Sequence, residues 1–122
     1  MPTHPKDLDL AAFIIQTVCV EFHLETIDLE SPERTERLVW PRWLAIYLID
    51  KYTHMDRRVL GHLFNRSQNS VRAVIQRLLP VRLETDKRCL DKLFQLETYV
   101  IAYIRRPSVT NVPMSEPPTK TL

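Results

Sequence analysis

The sequence predicts an all-α fold, a compact bundle of about five helices that contains a helix-turn-helix, from three observations. Apolar residues recur at helical spacing in successive segments, no segment of convincing length alternates with strand period, and capping or breaking residues stand where those segments meet. At 122 residues with 44% apolar side chains, the chain is long enough to bury one core.

Leu10, Phe13, Ile14, Thr17 and Val18 share one helical face, which predicts a first helix from about Lys6 to Leu24. The polar stretch 25–37 contains Ser31-Pro32 and reads as a loop with one short turn at Ile27–Leu29, because proline disfavours helical geometry at the residue before it. Pro41 suits the first turn of a helix, and Leu44, Ala45, Tyr47, Leu48 and Tyr52 then give a wide apolar face, so this second long helix is expected to be central.

Asp56 is placed to cap a short helix carrying Val59, Leu60, Leu63 and Phe64. Asn65 tolerates left-handed backbone and closes it; Ser67 caps the next helix, which buries Val71, Val74, Ile75 and Leu78 and is expected to stop at Pro80. A last helix from about Thr85 to Arg105 places Leu90, Leu93, Phe94, Glu97, Val100, Ile101 and Ile104 on one side. Residues 1–106 thus read as one helical domain with the helix-turn-helix at about 56–79; residues 107–122, rich in Pro, Ser and Thr, read as a disordered tail.

The net charge of +2 conceals a strong asymmetry. Residues 1–36 hold two basic and eight acidic groups, whereas residues 57–88 hold eight basic and two acidic groups. A basic centre suits a polyanion, since each neutralised phosphate releases counterions. A single glycine, Gly61, argues against nucleotide-cradling loops, so no nucleotide or other cofactor is expected. The histidines His4, His23, His54 and His62 lack metal-ligand spacing, and no nucleophile elbow or acid–base pair is evident; the chain is not expected to be an enzyme. Cys19 and Cys89 lie in apolar helical stretches and read as reduced core residues. With no signal pattern or membrane-length apolar run, a cytoplasmic location is expected, in bacterial-type cytosol or nucleoid.

Two short helices across a tight turn, the second opening with Arg66-Ser67-Gln68-Asn69-Ser70, form the arrangement that inserts a helix into the DNA major groove. Arginine can grip guanine bidentately, and glutamine or asparagine adenine, so Arg66, Gln68, Asn69 and Arg72 are the candidate base contacts. Arg42, Arg57, Arg58, Ser67 and Ser70 are the candidate phosphate contacts.

The runs Ile15-Gln16-Thr17-Val18, Glu21-Phe22, Ile27-Asp28-Leu29, Trp40-Pro41-Arg42-Trp43-Leu44-Ala45-Ile46-Tyr47-Leu48 and Leu60-Gly61-His62-Leu63-Phe64 follow one another in an informative order. Over roughly residues 8–80 the chain resembles the C-terminal DNA-binding domain of the bacterial replication initiator DnaA, which has a Trp-repressor-like helical fold. The resemblance implies that Arg34 enters the minor groove. It also implies an altered target, because Asn65-Arg66-Ser67-Gln68-Asn69-Ser70 stands where the family has a glycine-glycine-arginine-aspartate-histidine-threonine-threonine run. The family's ATPase domain has no counterpart in these residues, so a reader of DNA is expected rather than a full initiator.

The expected function is sequence-selective binding of double-stranded DNA that regulates replication initiation or transcription. The alternative is a protein adaptor on the same fold, docking a replication or regulatory protein, for which the acidic N-terminal helix offers a surface.

Overall fold

The computed structural model describes residues 3–107, whose regular structure is all helical, with no strand among them. The elements are α1 (Pro5–Phe22), α2 (Thr26–Glu30), α3 (Glu36–Tyr52), α4 (Arg57–Leu63), α5 (Gln68–Ala73), a π-turn (Val74–Leu78), α6 (Leu79–Thr85) and α7 (Lys87–Ile104). The expected tail lies outside the described residues apart from Pro107.

Helix α3 is central, as its broad apolar face predicts, and packs against α1, α2, α4, the π-turn, α6 and α7. Leu38, Leu44, Ala45, Leu48 and Ile49 are fully buried and meet Ile14 and Val18 of α1, Leu60 and Phe64 around α4, Val71 of α5 and Leu96 of α7 in one core. Burying a side chain of this size stabilises the fold by roughly 1.5–3 kcal/mol each before chain entropy is subtracted.

Two boundaries and one helix face differ from the sequence expectation. Helix α3 starts at Glu36, so Pro41 sits inside it rather than in its first turn. The hydrogen bond that Pro41 cannot return would have gone to Arg37, an exposed residue, while Leu38 and Trp40 become buried by the extra turn.

Pro80 does not stop the chain's helical course, which continues to Thr85. Just before it the backbone widens into the π-turn, where the Leu79 N–H donates to the Val74 carbonyl five residues back. That wider turn accommodates a residue with no N–H of its own.

In α7 the buried stripe is Cys89, Leu93, Leu96 and Val100, while Phe94 and Ile104 are exposed. The expected stripe is rotated by about a quarter turn, because α7 carries two adjacent apolar faces and only one meets the core. Glu97, its polar member, accepts hydrogen bonds from Lys51 Nζ at 2.6 Å and Tyr52 Oη at 2.7 Å, tying α7 to α3.

Candidate nucleic-acid interface

Local chemistry builds the helix pair. The Asp56 side chain accepts from the Arg58 N–H and caps α4. Phe64 and Arg66 N–H groups both donate to the Gly61 carbonyl, at 3.0 and 2.8 Å, and Asn65 takes a left-handed φ of 56°. Ser67 Oγ accepts from the Ser70 N–H at 3.1 Å and caps α5. Gly61 is required here by closeness, since an added Cβ would lie 2.5 Å from the Arg66 carbonyl oxygen.

Helix α5 buries Val71, and Val74 follows in the π-turn; Gln68, Asn69, Ser70 and Arg72 are exposed. Arg72 Nη2 donates to Asn69 Oδ1, which aligns these two side chains on one surface. Gln76 and Arg77 extend the exposed side along the π-turn; Arg77 makes no ion pair among the described residues and was given no role from sequence, although its position off the buried stripe was visible there.

Arg66 lies in the turn, one residue before the cap, rather than on the helix it was expected to open. Its guanidinium folds back: Nη1 donates to the carbonyls of Phe64 at 3.1 Å and Asn65 at 3.2 Å, and Nη2 to Ser31 at 2.6 Å. Burial, then the nearby charge of Arg34, lowers its pKa from the ordinary arginine value. Arg34 itself is exposed on the loop between α2 and α3 and makes no hydrogen bond or ion pair among the described residues.

Arg42 corrects its sequence assignment as a phosphate contact. It is 3% exposed, and its guanidinium faces inward: Nε donates to Leu29 at 2.9 Å, and Nη2 to Asp28 at 3.4 Å, Ser31 at 2.9 Å and Glu33 at 3.2 Å. Burial, then repulsion from Arg66, lowers its pKa to about 10, so it stays charged at neutral pH. The sequence signal was present in its register, because Leu38, Arg42, Ala45 and Ile49 fall on one helical stripe and all are buried. Its role is to hold the carbonyls of the loop that displays Arg34.

The other cations divide. Arg57 is paired with Asp50, Nε to Oδ1 at 3.1 Å, whereas Arg58 is exposed at the start of α4. Both stand at the edge of the helix pair, but only Arg58 projects without an acidic partner among the described residues.

Acids of α1 are engaged within the molecule. Glu21 accepts from Lys92, Asp9 from Tyr103 Oη at 2.7 Å, and Asp7 from the His54 backbone N–H at 3.3 Å. The acidic N-terminal helix is therefore a seam to α7 and to the loop after α3 as much as an outward surface.

Trp40 packs edge-on against Phe22 and carries Arg82 and Arg88 over its ring, a core role. Cys19 and Cys89 are buried and unpaired, and burial raises the Cys89 thiol pKa to about 11. No group of His, Cys, Asp or Glu among the described residues is arranged to hold a metal ion, and none of their helices is long and apolar enough to cross a membrane.

A family model described as the bacterial dnaA protein helix-turn-helix matches residues 11–77, more than half of the chain. No curated protein matches it. The matched span runs from α1 through the π-turn and includes the Arg34 loop and both helices of the pair.

Proposed function

The chain belongs to the bacterial DnaA helix-turn-helix family, a family of DNA-binding domains, and on that premise we propose that it is a sequence-selective reader of double-stranded DNA that regulates replication initiation or transcription. In this reading the α5 N-terminus enters the major groove, with Gln68, Asn69 and Arg72 toward base edges and Ser67 and Ser70 toward phosphate. Arg34 reaches the adjacent minor groove. Arg58 takes a phosphate, and Arg57 does so by leaving Asp50. Arg66 swings from the Ser31 carbonyl to a base, exchanging one acceptor for another.

One observation carries the proposal: Arg34 and the α5 residue Ser70 border the same cleft, so an unpaired cation and an exposed polar helix face are presented side by side. Affinity from the cations is sequence-independent, whereas the α5 side chains supply the discrimination. Because the Asp, His, Thr and Thr that follow the family's arginine are replaced after Arg66 by Ser67, Gln68, Asn69 and Ser70, the preferred site is expected to differ from a standard DnaA box.

Fluorescence anisotropy tests this with a DnaA-box duplex and a scrambled duplex, each titrated at several salt concentrations. Salt-dependent binding to duplex is expected, with a slope that reports the number of phosphates neutralised. Absence of binding to either duplex at low salt would reject it and favour a protein adaptor on the same fold.

A further inference from the structure

Between the Arg34 loop, α3, α5 and the π-turn lies a cavity of about 400 Å³. Its polar lining comes from Arg34, Arg42, Arg66 and Ser70, with no carboxylate, and its remaining wall is apolar, including Trp43, Ile46 and Val74. Such a volume is within the range of small-molecule pockets, roughly 300–1,000 Å³, which combine apolar walls with a few convergent polar groups.

A second observation points to an acceptor. Arg42 is 3% exposed, and its Nε and Nη2 are consumed by loop carbonyls, but its Nη1 makes no hydrogen bond among the described residues. A buried donor without an acceptor is costly and is normally satisfied by water or a ligand. Arg34 is likewise uncommitted, and Arg66 retains an unused Nε.

We propose that this cavity binds a small amphipathic anion, a flat apolar ring system carrying one carboxylate, with the carboxylate among Arg34, Arg42 and Arg66 and the rings against Trp43, Ile46 and Val74. A carboxylate accepts bidentately from guanidinium, and a lining of three arginines with no carboxylate of its own favours negative charge on the ligand. An inorganic anion would leave the apolar wall unused, and a neutral aromatic amide would offer the Arg42 donor an acceptor but bring no charge to the positive lining. Occupancy also has a regulatory consequence, which rests on the duplex-binding reading: the ligand holds Arg34 and Arg66 away from DNA.

The test is an amide NMR titration of the whole chain with 2-naphthoate, 2-naphthamide and acetate, run without DNA. Naphthoate is expected to shift residues of the 31–34 loop, the Trp43 indole and Ala73–Val74, and to bind at least about tenfold more tightly than naphthamide or acetate. Arg34→Gln, at an exposed side chain with no bonds to lose within the described fold, is expected to weaken naphthoate about tenfold and leave naphthamide unchanged. No shifts up to about 10 mM, equal shifts with naphthamide, or shifts centred on the α1–α7 seam would overturn the proposal. Because no DNA is present, failure here leaves the duplex-binding reading standing, and a chain that takes naphthoate but no duplex keeps the cavity site.

Discussion

Arg42 and Arg66 donate to the same acceptor, the Ser31 carbonyl oxygen, from Nη2 atoms at 2.9 and 2.6 Å. One arginine comes from the central helix and the other from the turn between the paired helices. Loop carbonyl dipoles take the hydrogen bonds of both guanidiniums, and the charge of Glu33 near Arg42 offsets part of their mutual repulsion. In the free protein the Arg34 loop is thereby fastened to both the core and the turn between α4 and α5, and in the proposed complex the Arg42 clasp alone keeps that hold.

Arg42→Met is expected to destabilise the protein by about 2–4 kcal/mol, since four carbonyls lose a charged donor in a buried place. Arg42→Lys should recover little, because an ammonium cannot span the positions reached by Nε and Nη2. Urea denaturation measures both; a loss below 1 kcal/mol, marking an ordinary surface position, would show that the clasp contributes little.

Gly61→Ala should cost about 1–3 kcal/mol by forcing the Arg66 backbone away from the added methyl. Duplex affinity should fall alongside, as the turn that sets the angle between α4 and α5 must shift. Thermal melting and anisotropy on the same variant check the two effects together. An unchanged melting temperature would mean that the turn can relax freely.

Cations of different roles should separate by their salt behaviour. Arg58→Ala is expected to weaken every duplex similarly and to reduce the salt slope by about one. Arg66→Ala should cost roughly 1–3 kcal/mol on the preferred sequence and relax preference at one base pair. Arg34→Ala should reduce discrimination between A·T and G·C at the position its groove contact covers. Equal losses on all sequences for the three variants would contradict these roles.

Glu97 supplies a pH dependence. Burial raises its pKa, but the hydrogen bonds from Lys51 and Tyr52 and the Lys51 charge outweigh burial and leave it below the ordinary value of 4.5. A depressed carboxylate adds stability that is fully present above the unfolded pKa and is lost as pH falls through the lower folded value. Glu97→Gln should therefore flatten the decline in melting temperature as pH falls below about 4.5. A decline as steep as that of the unsubstituted chain would assign acid sensitivity to other carboxylates.

Features decided by neighbours in the chain are legible in the sequence itself. Asp56 and Ser67 cap, Asn65 turns left-handed, and Val71 and Val74 face inward, because each depends on hydrogen bonds or periodicity within one or two turns. Pro41 and Pro80 misled because tertiary packing in one case and a π-turn in the other outweighed the local penalty of proline. The orientation of α7 was not legible: Phe94 and Leu93 are equally apolar, and only packing against α1, α3 and α6 decides which is buried.

Among the site residues, Gln68, Asn69 and Arg72 are exposed on α5, while Arg42 lies inside. A charged residue is ordinarily assigned to the surface. Its burial follows from the α2–α3 loop, whose inward carbonyls have no signature of their own in the sequence.

The most direct test of the central claim is amide NMR mapping of a duplex titration on the whole chain. The account predicts that shifts concentrate in the 31–35 loop, at the start of α4 around Arg58, and from Arg66 through Ala73, with the Arg34 and Arg66 side-chain signals among the largest. Shifts centred instead on α1 and α7, or none at low salt, would contradict it.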